Sequence, residues 1–269
     1  MLKTRLIPCL LLKNGLIVRS EEFSFHQLVG NPINQVERFD AWAVDELIYI
    51  DITREGEYDL RRDDHKVKAR SDLLSIIEEV SRTCFMPLTF GGGIRTVDDI
   101  RARLAHGADK VTINTQAVET PEFITDAART FGSQAIIVSI DVRRQGEREW
   151  EVFSRWGKYA TGLDVIEWVR EAERRGAGEI FLNSIDRDGM AMGYDLPLIQ
   201  AVSGATGIPV IVCGGVGKFT HLVEGVRAGA SAVSAANIFH FTEHSTQRAK
   251  KVLAEAGVDV RLSGVTVGR

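Results

Sequence analysis

The chain is short of several things at once: three cysteines and six prolines in 269 residues, and no apolar run near the roughly 18 residues that a membrane-spanning helix requires. Cys9, Cys84 and Cys213 are far apart, odd in number and set in apolar runs, with no histidine or second cysteine beside them. They read as reduced core thiols rather than a disulfide framework, metal ligands or nucleophiles, so neither metal nor cofactor is expected. Surplus positive charge is missing too. Lysine and arginine total 33 against 37 aspartates and glutamates, for a net charge of −4. That excludes the clustered basic face of a nucleic-acid-binding domain. The one basic stretch, 61–70, is interrupted by Asp63 and Asp64 and reads as a solvated loop. Residues 1–12 combine two basic side chains with a short apolar run, but a turn at Lys13-Asn14-Gly15 follows in place of a small-residue cleavage site. They read as a first strand, and the chain is expected to be cytoplasmic.

What remains is ample material for one core: 44% hydrophobic and 26% charged residues. Short apolar runs at 5–12, 47–52, 86–90, 110–113, 135–140, 179–183, 208–213 and 232–235 are aliphatic and not two-faced, as strands buried on both sides are. Helix-like segments alternate with them at 32–42, 71–83, 96–105, 121–130, 162–175, 196–203, 218–228 and 243–256. Start signals stand at Asn31 before Pro32, at Thr96 with Asp98 and Asp99, and at Thr120 before Pro121; Gly176, Gly229 and Gly257 stand where helices end. Eight strand–helix alternations predict one α/β domain over 1–269, a single (βα)8 TIM barrel. An open doubly wound sheet is the alternative.

An internal repeat favours the barrel. Gly92-Gly93-Ile94 and Gly214-Gly215-Val216 each follow a strand and precede a helix. Gly93 to Gly107 spans 14 positions, as does Gly215 to Gly229; Ala108 and Ala230 come next, and a strand end lies seven positions past each glycine, at Asn114 and Ala236. One unit thus recurs 122 residues later, implying two half-barrels of roughly 1–130 and 131–256.

In such barrels the loops after the strands carry function. Glycines there let backbone N–H groups approach an anion beside a helix start. Gly92, Gly93, Asn114 and Thr115 form one candidate phosphate cup, and Gly214, Gly215, Ala236 and Asn237 another. For one loop alone, tight turning suffices as an explanation; for a matched pair, a substrate phosphorylated at both ends is the better one. Asp186-Arg187-Asp188-Gly189 adds a polar loop, with Asp188 and Gly189 as candidate substrate contacts or a charged surface turn. Asp141 ends the fifth run and is the candidate catalytic acid. Asp51 ends the second run in the same manner, with a structural ion pair an equal reading. The aromatic-rich segment 145–160 reads as a hairpin over the mouth.

These residues together resemble the HisF cyclase subunits of the HisA/HisF family. The likeness rests on Arg5-Leu6-Ile7-Pro8-Cys9-Leu10, Gly91-Gly92-Gly93-Ile94-Arg95, Ser184-Ile185-Asp186-Arg187-Asp188-Gly189, Ile238-Phe239-His240-Phe241 and the stretches 45–47, 108–111, 113–115, 131–134 and 176–180, in the family's order across almost the whole chain. The resemblance implies a HisH-like glutaminase partner docked at the amino-terminal face. It also implies ammonia passing through the barrel, and a charged gate of Arg5, Glu46, Lys110 and Glu179. It further implies ring closure by two aspartates, of which Asp141 is one.

At the other aspartate's position stands Leu11, which can neither accept nor donate a proton. Arg19 replaces the usual loop lysine, Asn237 stands where serine is typical, and the loop 53–70 is long. Residues 9–13, 30–34 and 179–183 are similar to HisF-like paralogues of surface-polysaccharide clusters, thought to supply ammonia to a sugar amidotransferase that makes acetamidino sugars. The expectation is therefore an ammonia-delivering synthase subunit. The alternative is a working cyclase making imidazole glycerol phosphate and AICAR in histidine biosynthesis, with Asp51 or water replacing the missing acid. A third reading, a scaffold without channel or chemistry, is disfavoured by the intact gate.

Overall fold

A computed structural model describes residues 3–53, 58, 72–240 and 244–262; the expected basic loop at 61–70, most of the long loop 53–70 and Phe241 lie outside them. In chain order the strands are β1 (Arg5–Lys13), β2 (Leu16–Glu21), β3 (Phe25–Gly30), β4 (Leu47–Asp51), β5 (Leu88–Gly91), β6 (Lys110–Ile113), β7 (Ile136–Arg144), β8 (Trp150–Ser154), β9 (Tyr159–Asp164), β10 (Glu179–Ser184), β11 (Val210–Cys213) and β12 (Ala232–Ala235). The helices are α1 (Pro32–Ala41), α2 (Leu73–Thr83), α3 (Val97–Ala105), α4 (Thr115–Glu119), α5 (Glu122–Phe131), α6 (Val165–Arg174), α7 (Leu196–Ser203), α8 (Phe219–Arg227) and α9 (Ser245–Glu255).

Eight strands pair in parallel in the order β10, β11, β12, β1, β4, β5, β6, β7, and β7 pairs back to β10. That last pairing closes the cylinder and removes the open-sheet alternative. Alternation along each strand then separates two cores. Leu6, Leu10 and Leu12 of β1 face outward into the large cluster shared with the helices. Ile7 and Cys9 face inward, with Ile48, Ile137, Phe181, Ile211 and Ala232, into a small cluster inside the bore.

The helix starts follow local chemistry. The Asn31 side chain accepts from the N–H of Ile33 at 2.7 Å, and Thr96 and Asp99 form a reciprocal capping box. α6 begins at Val165, later than periodicity suggests, because residues 159–164 extend β9 and the Asp164 side chain caps the helix at Ile166 and Glu167.

β1 and β7 are each nine residues long and project past the cylinder at their carboxyl ends, where each carries an antiparallel hairpin. β8–β9 lies against β7, as the aromatic segment suggests, and β2–β3 lies against β1. The second pairing is absent from the sequence reading. β2 returns on β1 through the Asn14-Gly15 turn, at φ of 51° and 74°, but the β2–β3 turn is made by Glu22 and Phe23, at φ of 49° and 57°, with no Asn-Gly or Gly-Gly signal to mark it.

The 122-residue repeat has a geometric counterpart. Gly107 and Gly229 share a φ of 114°, and a methyl group on either would press on a serine, Ser81 and Ser203 respectively. Gly92 would bring such a carbon within 2.0 Å of the Asp51 carbonyl oxygen, and its repeat mate Gly214 within 2.8 Å of that of Ser184. Close backbone approach alone therefore requires glycine at both loops.

Candidate functional site

At the amino-terminal end of the bore, four charges from four strands meet. Arg5 opens β1, Glu46 precedes β4, Lys110 opens β6 and Glu179 opens β10. Arg5 donates to Glu46 at 2.7 Å and to Glu179 at 2.5 Å, while Lys110 donates to Glu46 at 3.2 Å and to Glu179 at 2.6 Å. Each carboxylate touches both cations and each cation both carboxylates, a closed ring of alternating sign. Burial opposes the charge on Arg5, but Glu179 and Glu46 outweigh it and raise its pKa; burial likewise opposes charge on Glu179, yet Arg5 and Lys110 hold its carboxyl below the ordinary range.

A brace beneath the ring was not foreseen. Lys250 of α9 is fully buried and donates to Asp45 at 2.7 Å and to the Ala43 carbonyl at 2.6 Å. Asp45 in turn accepts the Leu6 N–H at 2.8 Å. Leu6 and Asp45 are the chain neighbours of Arg5 and Glu46, so this contact ties the last helix to both sides of the ring. Lys250 sits among polar neighbours in a helix, and nothing in the local pattern marks it as a core residue.

Above the ring the bore is lined by a small apolar cluster together with the buried hydroxyls of Thr89, Thr112, Ser139 and Ser234. Leu11, Ile50 and Cys213 pack on the inner cluster one inward step beyond Cys9, Ile48 and Ile211, and Leu11 is in register with Ile50. Leu11 therefore faces the bore near its carboxyl end, with no titratable oxygen of its own. Cys9 hydrogen-bonds Cys213, and this contact together with burial raises its thiol pKa well above the usual value; burial pushes Cys84 to about 11. Neither is an activated nucleophile.

Across the bore Asp141 lies buried on β7, with one amide on each oxygen. Asn183 donates to Oδ1 at 2.9 Å and Asn114 to Oδ2 at 3.2 Å. Burial raises its pKa to about 7; the Asn183 hydrogen bond opposes that rise and the charge of Asp188 adds to it. A carboxyl group so poised exchanges protons readily near neutral pH. Asp51 does not join it: Oδ1 accepts from Thr53 and Oδ2 accepts the Tyr58 hydroxyl at 2.9 Å. Among the described residues these are the hydrogen-bond partners of Asp51, and its charge is felt by Arg103.

The loop candidates are placed as follows. Asn114 and Thr115 lie where β6 passes into α4, with Thr115 accepting the Arg155 N–H at 3.0 Å from the β8–β9 hairpin. Asp186 accepts the Arg144 N–H at 2.8 Å. Asp188 holds the β2–β3 hairpin, accepting the Ser20 hydroxyl at 2.7 Å and the Phe23 N–H at 3.2 Å; Asn237 donates to the Ser20 carbonyl at 2.9 Å. Gly189 packs against the backbone of Ser20 and Glu21. The two polar loops thus converge on one hairpin. Gly92, Gly93, Gly214 and Gly215 all adopt positive φ at the carboxyl ends of β5 and β11, and Ala236 follows β12. Among the described residues no three His, Cys, Asp or Glu side chains gather as a metal site would require, and no helix is long and apolar enough to cross a membrane. Asn183 is the site residue the sequence reading did not single out. Its signal was available: it lies two and four positions after Phe181 and Glu179, on the same inward face.

Comparison with known proteins gives a consistent result. The profile of a family described as "Histidine biosynthesis protein" matches residues 5–245. The chain is 46% identical over 267 residues to proteins named "Imidazole glycerol phosphate synthase subunit HisF" from two strains of Caulobacter vibrioides, covering 98% of either partner in each alignment.

Proposed function

Because the chain belongs to the histidine biosynthesis protein family and to its HisF subunits, we propose that it is the ammonia-receiving subunit of a glutamine amidotransferase. A HisH-like glutaminase docks on the face that carries the charged ring. Ammonia enters at Arg5, Glu46, Lys110 and Glu179, crosses a bore lined by the inner apolar cluster and by the hydroxyls of Thr89, Thr112, Ser139 and Ser234, and leaves beside Asp141. A passage lined by uncharged side chains suits a neutral molecule, because ammonium would have to shed much of its hydration to follow it. At the exit, Asp141 takes or returns a proton. The two glycine loops, with Asn114, Thr115, Ala236 and Asn237, grip a phosphorylated small molecule. The matched geometry of the two loops supports reading the chain as two four-unit halves of a single domain.

One observation carries the finer reading. Leu11 occupies the place of the first of two acids and packs on Ile7 and Cys9 as part of the lining. A single general acid or base contributes about 10²–10⁴-fold. Asp51, caged by Thr53 and Tyr58, does not replace it. On this reading the barrel delivers ammonia to a separate sugar amidotransferase in surface-polysaccharide synthesis and closes no imidazole ring itself. The second reading is a working cyclase of histidine biosynthesis. Similarity over nearly the entire length to the Caulobacter subunits favours it, as does the presence of Asp141 and both glycine loops. Complementation separates them. The first reading predicts that the gene fails to restore growth to a histidine auxotroph lacking its cyclase subunit, although the protein accumulates and activates its glutaminase. Growth at the rate given by an authentic cyclase subunit establishes the second.

A further inference from the structure

Asp141 is the acid that both readings leave at the mouth of the bore, and its surroundings assign a role to a residue outside the ring and the phosphate loops. Asn183 lies on β10 directly beside Asp141 on β7, and the two are in register. Its side chain is buried, as is that of Asp141. The amide nitrogen reaches Asp141 Oδ1 at 2.9 Å and the Ser139 hydroxyl at 3.2 Å. From the opposite neighbour strand, Asn114 reaches Asp141 Oδ2 at 3.2 Å and the Ser139 carbonyl at 3.1 Å. The carboxylate is thus clamped between β6 and β10, one amide hydrogen per oxygen. Facing this clamp are Leu11, Ile50 and Cys213, none of which shares a proton with it. Asp188 after β10 is the titratable group whose charge Asp141 feels, and Asp141 and Asp188 in turn oppose ionisation of the Cys9 thiol on β1.

We infer that Asn183 is the positioning residue for Asp141, aiming the carboxyl group into the bore and favouring its ionised form, so that it exchanges a proton with arriving nitrogen. The exchange is balanced: ammonium and carboxylate become ammonia and carboxylic acid, and the reverse step returns the proton. An amide hydrogen suits this task because it stabilises the anion without competing for the proton, as a second carboxyl group would. Burial alone drives the acid toward its neutral form. The amide donors oppose that drive, since hydrogen bonds to a charged group are the stronger kind. The proton exchange rests on the proposed ammonia route; the clamp itself does not.

The test is a titration of the full-length chain labelled with ¹³C at aspartate carboxyl carbons, with the Asp141 resonance assigned by its loss in Asp141→Asn. The unmodified protein should titrate near pH 7. Asn183→Leu should move that midpoint upward by on the order of one pH unit, and Asn183→Ser, which restores a donor, should recover part of the shift. Asn114→Leu should act in the same direction. Thermal unfolding of each variant checks the fold, and the serine variant keeps the question answerable if the leucine variant does not fold. An unchanged midpoint in both Asn183 variants overturns the inference. Ammonia transfer to an acceptor is measured separately: its absence with a normal shift counts against the proposed route and leaves the clamp standing.

Discussion

The two ends of the bore handle charge in opposite ways. At the amino-terminal end two cations and two carboxylates satisfy one another in a closed ring, half-buried and neutral overall. At the carboxyl end a single buried acid has amides for partners and hydrocarbon opposite. A paired ring costs little at neutral pH and responds weakly to it. A lone acid is held near its own midpoint and responds strongly. The same cylinder therefore carries one end fixed in charge and one that is not, and the difference follows from which strand positions are ionisable.

Breaking the fixed end should cost most. Lys250→Met removes the fully buried cation from Asp45, leaving Arg261 at 3.4 Å as its remaining cation, and should lower stability by about 3–4 kcal/mol, toward the lower end for a broken buried pair; urea unfolding checks it. Arg5→Leu removes two of the four ring contacts. Because Arg5 is 23% exposed, water screens part of the loss, and about 2–4 kcal/mol is expected. In a double-mutant cycle with Glu46→Gln, the two changes should be clearly non-additive.

The carboxyl end should show itself through pH. Folding raises the Asp141 pKa to about 7, so the folded state binds the proton more tightly than the unfolded one. Stability associated with this group is present in acid and is lost as pH rises through 7. Asp141→Asn should therefore gain about 2–3 kcal/mol relative to the unmodified chain between pH 5 and pH 8. Ring variants should show no such slope over that range. The smallest effect belongs to the rim: Ser20→Ala removes one hydrogen bond to Asp188, worth about 1 kcal/mol, and should speed hydrogen exchange at the Phe23 N–H.

The barrel itself was legible because its strands are short aliphatic runs separated by capped helices, and because the glycine units recur at a fixed distance. Ring membership came from the resemblance; the alternation places Arg5 and Glu179 on the same inward faces as Ile7 and Phe181. Three features escaped. The β2–β3 hairpin turns on Glu22 and Phe23, residue types that carry no turn signal. Lys250 is buried by a contact more than 200 residues away in the chain, and such pairings leave no local trace. The cage around Asp51 depends on Thr53 and Tyr58 folding back on it, a loop geometry that composition does not encode.

Leu11 is where sequence and structure bear most directly on the chemistry. The decisive measurement is turnover of the aminoimidazole ribotide precursor PRFAR by the chain paired with its glutaminase, compared with the Leu11→Asp variant of the same pair. The account predicts scant turnover for the natural chain and a rise of about 10²-fold or more once a second acid faces Asp141. Turnover by the natural chain at the rate of an authentic cyclase, unimproved or lowered by the substitution, would contradict it.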